Sequence, residues 1–191
     1  SEKLNLTRTT GTNVGSYTST ASCSSVTGGR AKCTNYTLTG NTKAFTINKA
    51  NSSISLTAKT ATYTGSEIAA NTASVTGTTG AVTYTYYTNS SCSTQTTTST
   101  GASATGAAPV DAGTYYVKAT VAASSNYNAV TSSCVAHTIS KKSIAVTWGS
   151  TTSFTYNGSA QAPTVTTPVA GAGSEKLNLT RTTGTNVGSY T

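Results

Sequence analysis

The chain has 191 residues and a formal net charge of +8, but only 8% of its residues are charged, far below the roughly 25% of an average soluble protein. The cations are spread singly along the sequence, whereas nucleic-acid-binding modules cluster them on one face, so we expect no nucleic-acid partner. No apolar run approaches the roughly twenty residues that span a bilayer, so we expect no membrane span in this stretch.

The first eighteen residues, SEKLNLTRTTGTNVGSYT, return unchanged as residues 174–191, which sets a period of 174 − 1 = 173 residues. Such a repeat is typical of a tandem array, and we interpret the chain as a window cut from a longer one. An alternative is that both ends are real. In that case the domain at the ends is completed by another chain through strand complementation.

Two related segments appear when the chain is followed through the period. Five short blocks recur in the same order: 143–148 with 53–58, 154–159 with 61–66, 12–17 with 110–115, 35–36 with 126–127, and 45–49 with 137–141. We therefore predict a pair of homologous domains. Residues 142–173 continuing into 1–49 form segment A and residues 50–141 form segment B, so that 142–191 is the beginning of the next segment A.

The blocks have the pattern of β-strands. Ile54 and Leu56 alternate with small polar residues, and Thr114–Val121 places Tyr115 and Val117 on one side of a strand. Thr, Val and Tyr are abundant and favour strands, whereas good helix formers are scarce. We predict an all-β protein of tandem small antiparallel β-sandwich domains, about 80 to 90 residues each, with turns every 8 to 12 residues.

The four cysteines give an even count and three possible pairings. Pairing Cys23 with Cys33 and Cys92 with Cys134 keeps each bridge within one segment, and a cross-segment pairing is the alternative. Their spacing matches no zinc motif, so we expect disulfides, an extracellular location, and neither a metal nor a cofactor.

Three stretches carry a family resemblance: Tyr156–Pro163, Val82–Thr88 together with Cys92, and Pro109–Ala119. Here the chain resembles the MBG-type and bacterial Ig-like repeats that occur in tandem in large, adhesin-like bacterial cell-surface proteins. The resemblance implies a spacer in a stalk, without shared catalytic residues. It is compatible with an Ig-like sandwich or, alternatively, with a β-grasp-like repeat. The absence of an amphipathic helical pattern favours the sandwich.

Two matching turn motifs are the clearest local candidates. Asn13 and Asp111 each precede a Gly-Ser/Thr-Tyr sequence, where an Asn or Asp side chain can bond the backbone of a turn. The motif residues are Asn13, Gly15, Tyr17, Asp111, Gly113 and Tyr115. The tyrosines resemble the tyrosine corner of sandwich domains, and we interpret both motifs as structural.

Little in the sequence indicates catalysis. His137 is the single histidine and takes the place of Phe45 in the other segment, so we expect a packed core residue. No nucleophile-elbow motif is present, and we expect no enzyme.

The leading hypothesis is a semi-rigid extracellular spacer at the cell surface. Its partners would be neighbouring repeats of the same array or other copies in a fibre. A second hypothesis is a module that binds glycan or another surface polymer of a host, with tyrosines stacking on sugar rings. The candidates are Tyr84, Tyr86, Tyr87 and Tyr116. A third hypothesis is a protomer of a self-assembling filament in which segment A is completed between chains.

Overall fold

The computed structural model describes residues 3–28, 32–96 and 107–189. This part of the chain contains strands and one short 3-10 helix, η1 (Cys33–Asn35), and no α-helix. The strands are β1 (Lys3–Arg8), β2 (Gly15–Thr27), β3 (Thr42–Ile47), β4 (Ser53–Ser55), β5 (Lys59–Thr62), β6 (Ser74–Thr76), β7 (Val82–Tyr87), β8 (Gly113–Val121), β9 (Val130–Thr131), β10 (Val135–Ser140), β11 (Val169–Ala170) and β12 (Lys176–Leu177). The predicted all-β class is confirmed.

The strands form four sheets. One has the order β1-β2-β3, a second has the order β5-β10-β8-β7 with β9 beside β8, and the pairs β4-β6 and β11-β12 form the other two. All pairings with a described register are antiparallel except that of β5 with β10, which is parallel. We predicted purely antiparallel domains, and that prediction was wrong for the pair of β5 with β10. The strands between β5 and β10 in sequence supply the long connection that a parallel pair needs.

The chain falls into two compact units, and β7 and β8 are each divided between them. The first unit consists of Ser1–Ser55, Ala73–Thr83 and Ala119–Ser132, and the second of Leu56–Thr72, Tyr84–Lys118 and Ser133–Thr191. The boundaries of segments A and B, at residues 49–50 and 141–142, were defined from the sequence repeat and not from these units. They stay a prediction.

The core of the second unit lies on one face of β8 and β10. Val117 and Ile139 are almost fully buried, and Leu56, Ile68 and Tyr86 are buried as well. In the first unit, Ala119 and Val121 continue the buried side of β8, as the alternation predicted. None of the residues in β1, β2 or β3 is fully buried, so that sheet has a half-covered face only.

The eighteen-residue repeat adopts two structures. At the beginning of the chain, KLNLTR forms the six-residue strand β1, which pairs with residues 21–27 of β2. Near the end, the same sequence contributes only Lys176 and Leu177 to a strand, paired with Val169 and Ala170. Since the residues are identical, the difference comes from the available partner strands.

Candidate functional site

The turn motif of the first unit forms a tyrosine corner. The Tyr17 hydroxyl donates a hydrogen bond to the backbone carbonyl of Asn13 at 2.7 Å, and the Tyr17 ring stacks on Phe45 with centroids 5.3 Å apart. The ring also covers Gly11, where a Cβ atom would lie 2.7 Å from ring carbon Cζ. Sequence reasoning missed Gly11, because the matched blocks begin one residue later.

The contribution of Asn13 differs from the prediction. Its backbone carbonyl, not its side chain, closes the bond to Tyr17. The Asn13 side chain instead accepts a hydrogen bond from Asn126 Nδ2 at 3.1 Å, and Asn126 Oδ1 accepts one from the backbone N–H of Val14 at 3.0 Å. The motif therefore ties segment A to a residue of segment B within the first unit.

The second unit carries the matching motif in the same strand register. Gly113 lies opposite Ile139 and Tyr115 opposite His137, as Gly15 lies opposite Ile47 and Tyr17 opposite Phe45. A Cβ atom on Gly113 would lie 3.3 Å from the Tyr115 ring. Burial raises the pKa of Tyr115, and the charge of Asp111 adds to that shift. These contacts support a structural role for both motifs.

We expect Tyr17→Phe to lower the free energy of unfolding of the first unit by about 1 kcal/mol, because it removes one hydrogen bond and keeps the ring. Amide hydrogen exchange in β2 and β3 measures this effect. Tyr156, whose side chain is 62% exposed, gives the matched control Tyr156→Phe, for which we expect a change within about 0.5 kcal/mol. Equal effects of the two variants would contradict the tyrosine corner.

His137 is a core residue of the second unit. It is 0% exposed, and its ring lies edge-on to Tyr86 at a centroid distance of 5.5 Å. Burial lowers the pKa of His137, nearby Lys59 acts in the same direction, and the backbone of Ile68 opposes both. Neither ring nitrogen makes a hydrogen bond of good geometry in the described part of the chain, so the Ile68 backbone acts on the pKa as a nearby polar group and not through a well-formed bond. A neutral histidine packed in this way replaces the phenylalanine of the other segment.

The lowered pKa of His137 makes stability depend on pH. The histidine of the unfolded chain titrates near pH 6.5, and the folded chain binds this proton less readily, so the free energy of unfolding falls as the pH drops below about 7, by at most about 1.4 kcal/mol per pH unit. We expect His137→Phe to abolish this loss. Urea unfolding at each pH, for both proteins, measures it. An unchanged pH profile in the variant would show that another group is responsible.

The two disulfides join the pairs that we expected from the sequence. Cys23 bonds Cys33 across a separation of 10 residues, and Cys92 bonds Cys134 across 42. Loop closure of this size stabilises a domain by about 3 and 4 kcal/mol respectively, which is comparable to much of the net stability of a small domain. The bonds indicate a protein that folds in an oxidising, extracellular environment.

The four candidate stacking tyrosines do not form one platform. Tyr86 is only 4% exposed, and its hydroxyl oxygen accepts a hydrogen bond from the backbone N–H of Ala70 at 2.7 Å. The stacking role proposed for Tyr86 was therefore wrong. Tyr84 shares that side of β7, whereas Tyr87 lies on the other, with Lys118 Nζ 5.8 Å from its ring centroid. Tyr116 is half-buried on β8, on the opposite side from Tyr115.

A cavity of about 460 Å³ in the second unit is lined by Tyr63, Asp111, Lys141, Lys142, Glu175 and Leu177, among others. The Tyr63 hydroxyl donates a hydrogen bond to the Glu175 carboxylate. This bond raises the pKa of Tyr63, and burial and the charges of Glu175 and Asp111 add to the shift. The lining contains two carboxylates and two ammonium groups, so its formal charges cancel.

An open groove of about 740 Å³ in the second unit is lined by residues from the range 148–189. We call it the aromatic groove, because Trp148, Phe154 and Tyr156 line it together with Pro163 and Val187. Trp148 is 54% exposed and Val187 is 91% exposed. Large side chains at this exposure, gathered in one concave surface, are typical of a site that another surface covers.

Within residues 3–28, 32–96 and 107–189, no group of three or more His, Cys, Asp and Glu side chains is placed to hold a metal ion. In the same residues, no helix is long and apolar enough to cross a membrane. Comparisons with protein-family models, curated proteins and solved structures gave no match. The resemblance to MBG-type and Ig-like repeats therefore stays a prediction.

Proposed function

We propose that the chain is a structural repeat of an extracellular, adhesin-like stalk or fibre at the cell surface, where its tandem small sandwich domains act as a semi-rigid spacer. The proposal rests on the 173-residue period, the two disulfides, and the same strand pair and turn motif in both segments. A glycan-binding role has less support, because Tyr86 is buried and the other tyrosines are divided between two faces of the sheet.

The observation that carries this proposal is the hydrogen bonding at the junction between segments A and B. Ala50 forms a parallel bridge with Tyr127, with backbone bonds from Ala50 N–H to Asn126 and from Asn128 N–H to Ala50. Lys49 Nζ donates to the carbonyl of Ser124 at 2.8 Å. The linker at residues 48–52 is therefore fixed to residues 124–128, and the Asn13–Asn126 bond adds a second attachment. A junction held in this way transmits force and direction along an array.

We expect Asn126→Ala to loosen this junction, because it removes the bonds to Asn13 and Val14. NMR relaxation of β3 and β9 measures whether residues 1–49 then tumble separately from residues 124–131. Asn71 offers a matched control, since its side chain bonds Thr57 and Ala58 inside segment B. Asn71→Ala leaves the tumbling of residues 1–49 unchanged. Separate tumbling of residues 1–49 in the unaltered chain would contradict the semi-rigid spacer. Equal tumbling in Asn126→Ala and the unaltered chain would show that the bonds of Ala50 and Lys49 hold the junction without the Asn126 side chain.

The array itself is tested by the mass of the native polypeptide after reduction and denaturation. The proposal predicts a mass many times the 19.2 kDa of the chain described here. A native mass near that value would contradict the covalent stalk.

A further inference from the structure

We propose that the parallel pair of β5 with β10 is a mechanical clamp that carries tension through segment B, and that the disulfide between Cys92 and Cys134 limits how far the segment extends once the clamp opens. This role presupposes the spacer proposed above, because tension arises where an array joins two objects. It adds the strand pair that bears the load and the direction in which that pair resists.

The two strands lie where a pull along the chain enters and leaves segment B. Strand β5 begins at Lys59, near the first residue of the segment, and β10 ends at Ser140, next to its last residue. A pull therefore acts on the amino end of β5 and on the carboxyl end of β10. In a parallel pair these are opposite ends, so the pull slides one strand along the other. Sliding loads all hydrogen bonds of the pair together, whereas a pull at one shared end opens them one after another.

The pair is held on both sides of β10. Strand β5 pairs with β10 over four residues, from Lys59 opposite His137 to Thr62 opposite Ser140. The Tyr63 N–H continues this ladder and donates to the Ser140 carbonyl at 2.9 Å. On its other side β10 pairs with β8 over five residues. Because β5 is the last strand in the order of this sheet, its bonds to β10 are the ladder that sliding must break.

Buried side chains cover the core side of the clamp. His137 and Ile139 of β10 are almost fully buried, and Leu56 before β5 and Ile68 after it are buried as well. A hydrogen bond in such surroundings is stronger than one exposed to water. Movement of β5 away from β10 would also bring part of this apolar surface into contact with water. Both effects add to the resistance of the pair.

The residues before β5 take the load first but hold it less firmly. Strand β4 pairs with β6 over three residues, and none of the three residues of β4 is buried. Ala50 adds backbone bonds to residues 126 and 128. We expect these exposed contacts to open at lower tension than the clamp, after which Leu56 and β5, next in the chain, carry the load.

The disulfide decides how much chain an opened segment releases. Cys134 directly precedes β10, and its bond to Cys92 spans 42 residues. Tension passes through this bond, so the residues between the two cysteines do not extend. Since an extended chain spans about 3.5 Å per residue, the intact bond withholds about 140 Å of length. The clamp thus sets when segment B extends, and the disulfide sets how far.

Force spectroscopy on the full chain tests the direction of the clamp. Handles on Ala58 and Lys141 slide β5 along β10, whereas handles on Ala58 and Ser133 pull on the amino ends of both strands. The protein is the same in both cases, so only the direction of pulling differs. Because forced unfolding is governed by the unfolding rate, we expect segment B to open at least about tenfold more slowly in the first geometry at equal force. Equal rates, or faster opening in the first geometry, would overturn the proposal.

Proline substitutions in β5 test its hydrogen bonds. Since the Tyr63 N–H faces β10, alternation along the strand points the Ala61 N–H toward β10 and the Thr60 N–H away from it. Ala61→Pro therefore removes a bond of the clamp, and Thr60→Pro, on the outer side of an edge strand, removes none. With handles on Ala58 and Lys141, we expect opening at least about tenfold faster in Ala61→Pro and within about threefold of the unaltered chain in Thr60→Pro. The same rate in both variants would contradict the clamp.

Reduction of the disulfide tests the limit on extension. Handles on Ala58 and Lys141 leave the other disulfide outside the stretched part of the chain. We expect the length released on opening to grow by about 140 Å when the bond of Cys92 to Cys134 is reduced. An unchanged length would overturn the limit. A native mass near 19.2 kDa would remove the array and leave the measured clamp in place, whereas equal opening rates would remove the clamp and leave the spacer.

Discussion

The rest of this structure depends on one strand pair that occurs in both segments. The last strand of the segment, β3 or β10, pairs with the strand that begins at the Gly-Ser/Thr-Tyr motif, β2 or β8. In both segments a glycine lies opposite an isoleucine and a tyrosine lies opposite an aromatic ring. The glycine leaves room for the tyrosine ring, which packs over it. Because side chains alternate across a strand, this register decides which residues of the pair face the core. The cover that a third strand supplies then decides whether that core is closed, as it is around Ile139, or half open, as it is around Ile47.

A chain so rich in serine and threonine has few large apolar side chains, and the structure compensates locally. Hydrogen bonds from small polar side chains to backbone carbonyls recur at the turns and edges, as in Thr78 to Ala122 and Ser52 to Asn128. The disulfides add covalent cross-links across 10 and 42 residues of a chain with few large apolar side chains. The same chemistry bonds the linker at residues 48–52 to residues 124–128.

The sequence predicted the elements well and their partners less well. Alternation identified the buried side of β8, and internal homology led to both disulfide pairs and both turn motifs. It did not predict the parallel pairing of β5 with β10, because alternation carries no information about strand direction. Tyr86 was misassigned for a related reason: β7 has tyrosines on both faces, and only the position of His137 decides which face is the core. The bond of Asn126 to Asn13 joins residues 113 positions apart, and no local signal indicates it.

The two copies of the eighteen-residue repeat explain why strand sequences are informative only together with their partners. KLNLTR has the same intrinsic preference at both ends of the chain, yet it forms a full strand only beside residues 21–27. A strand obtains half of its hydrogen bonds from each neighbour, so its stability belongs to the pair and not to the segment. A repeat unit defined by sequence period therefore need not coincide with a unit that closes its own core.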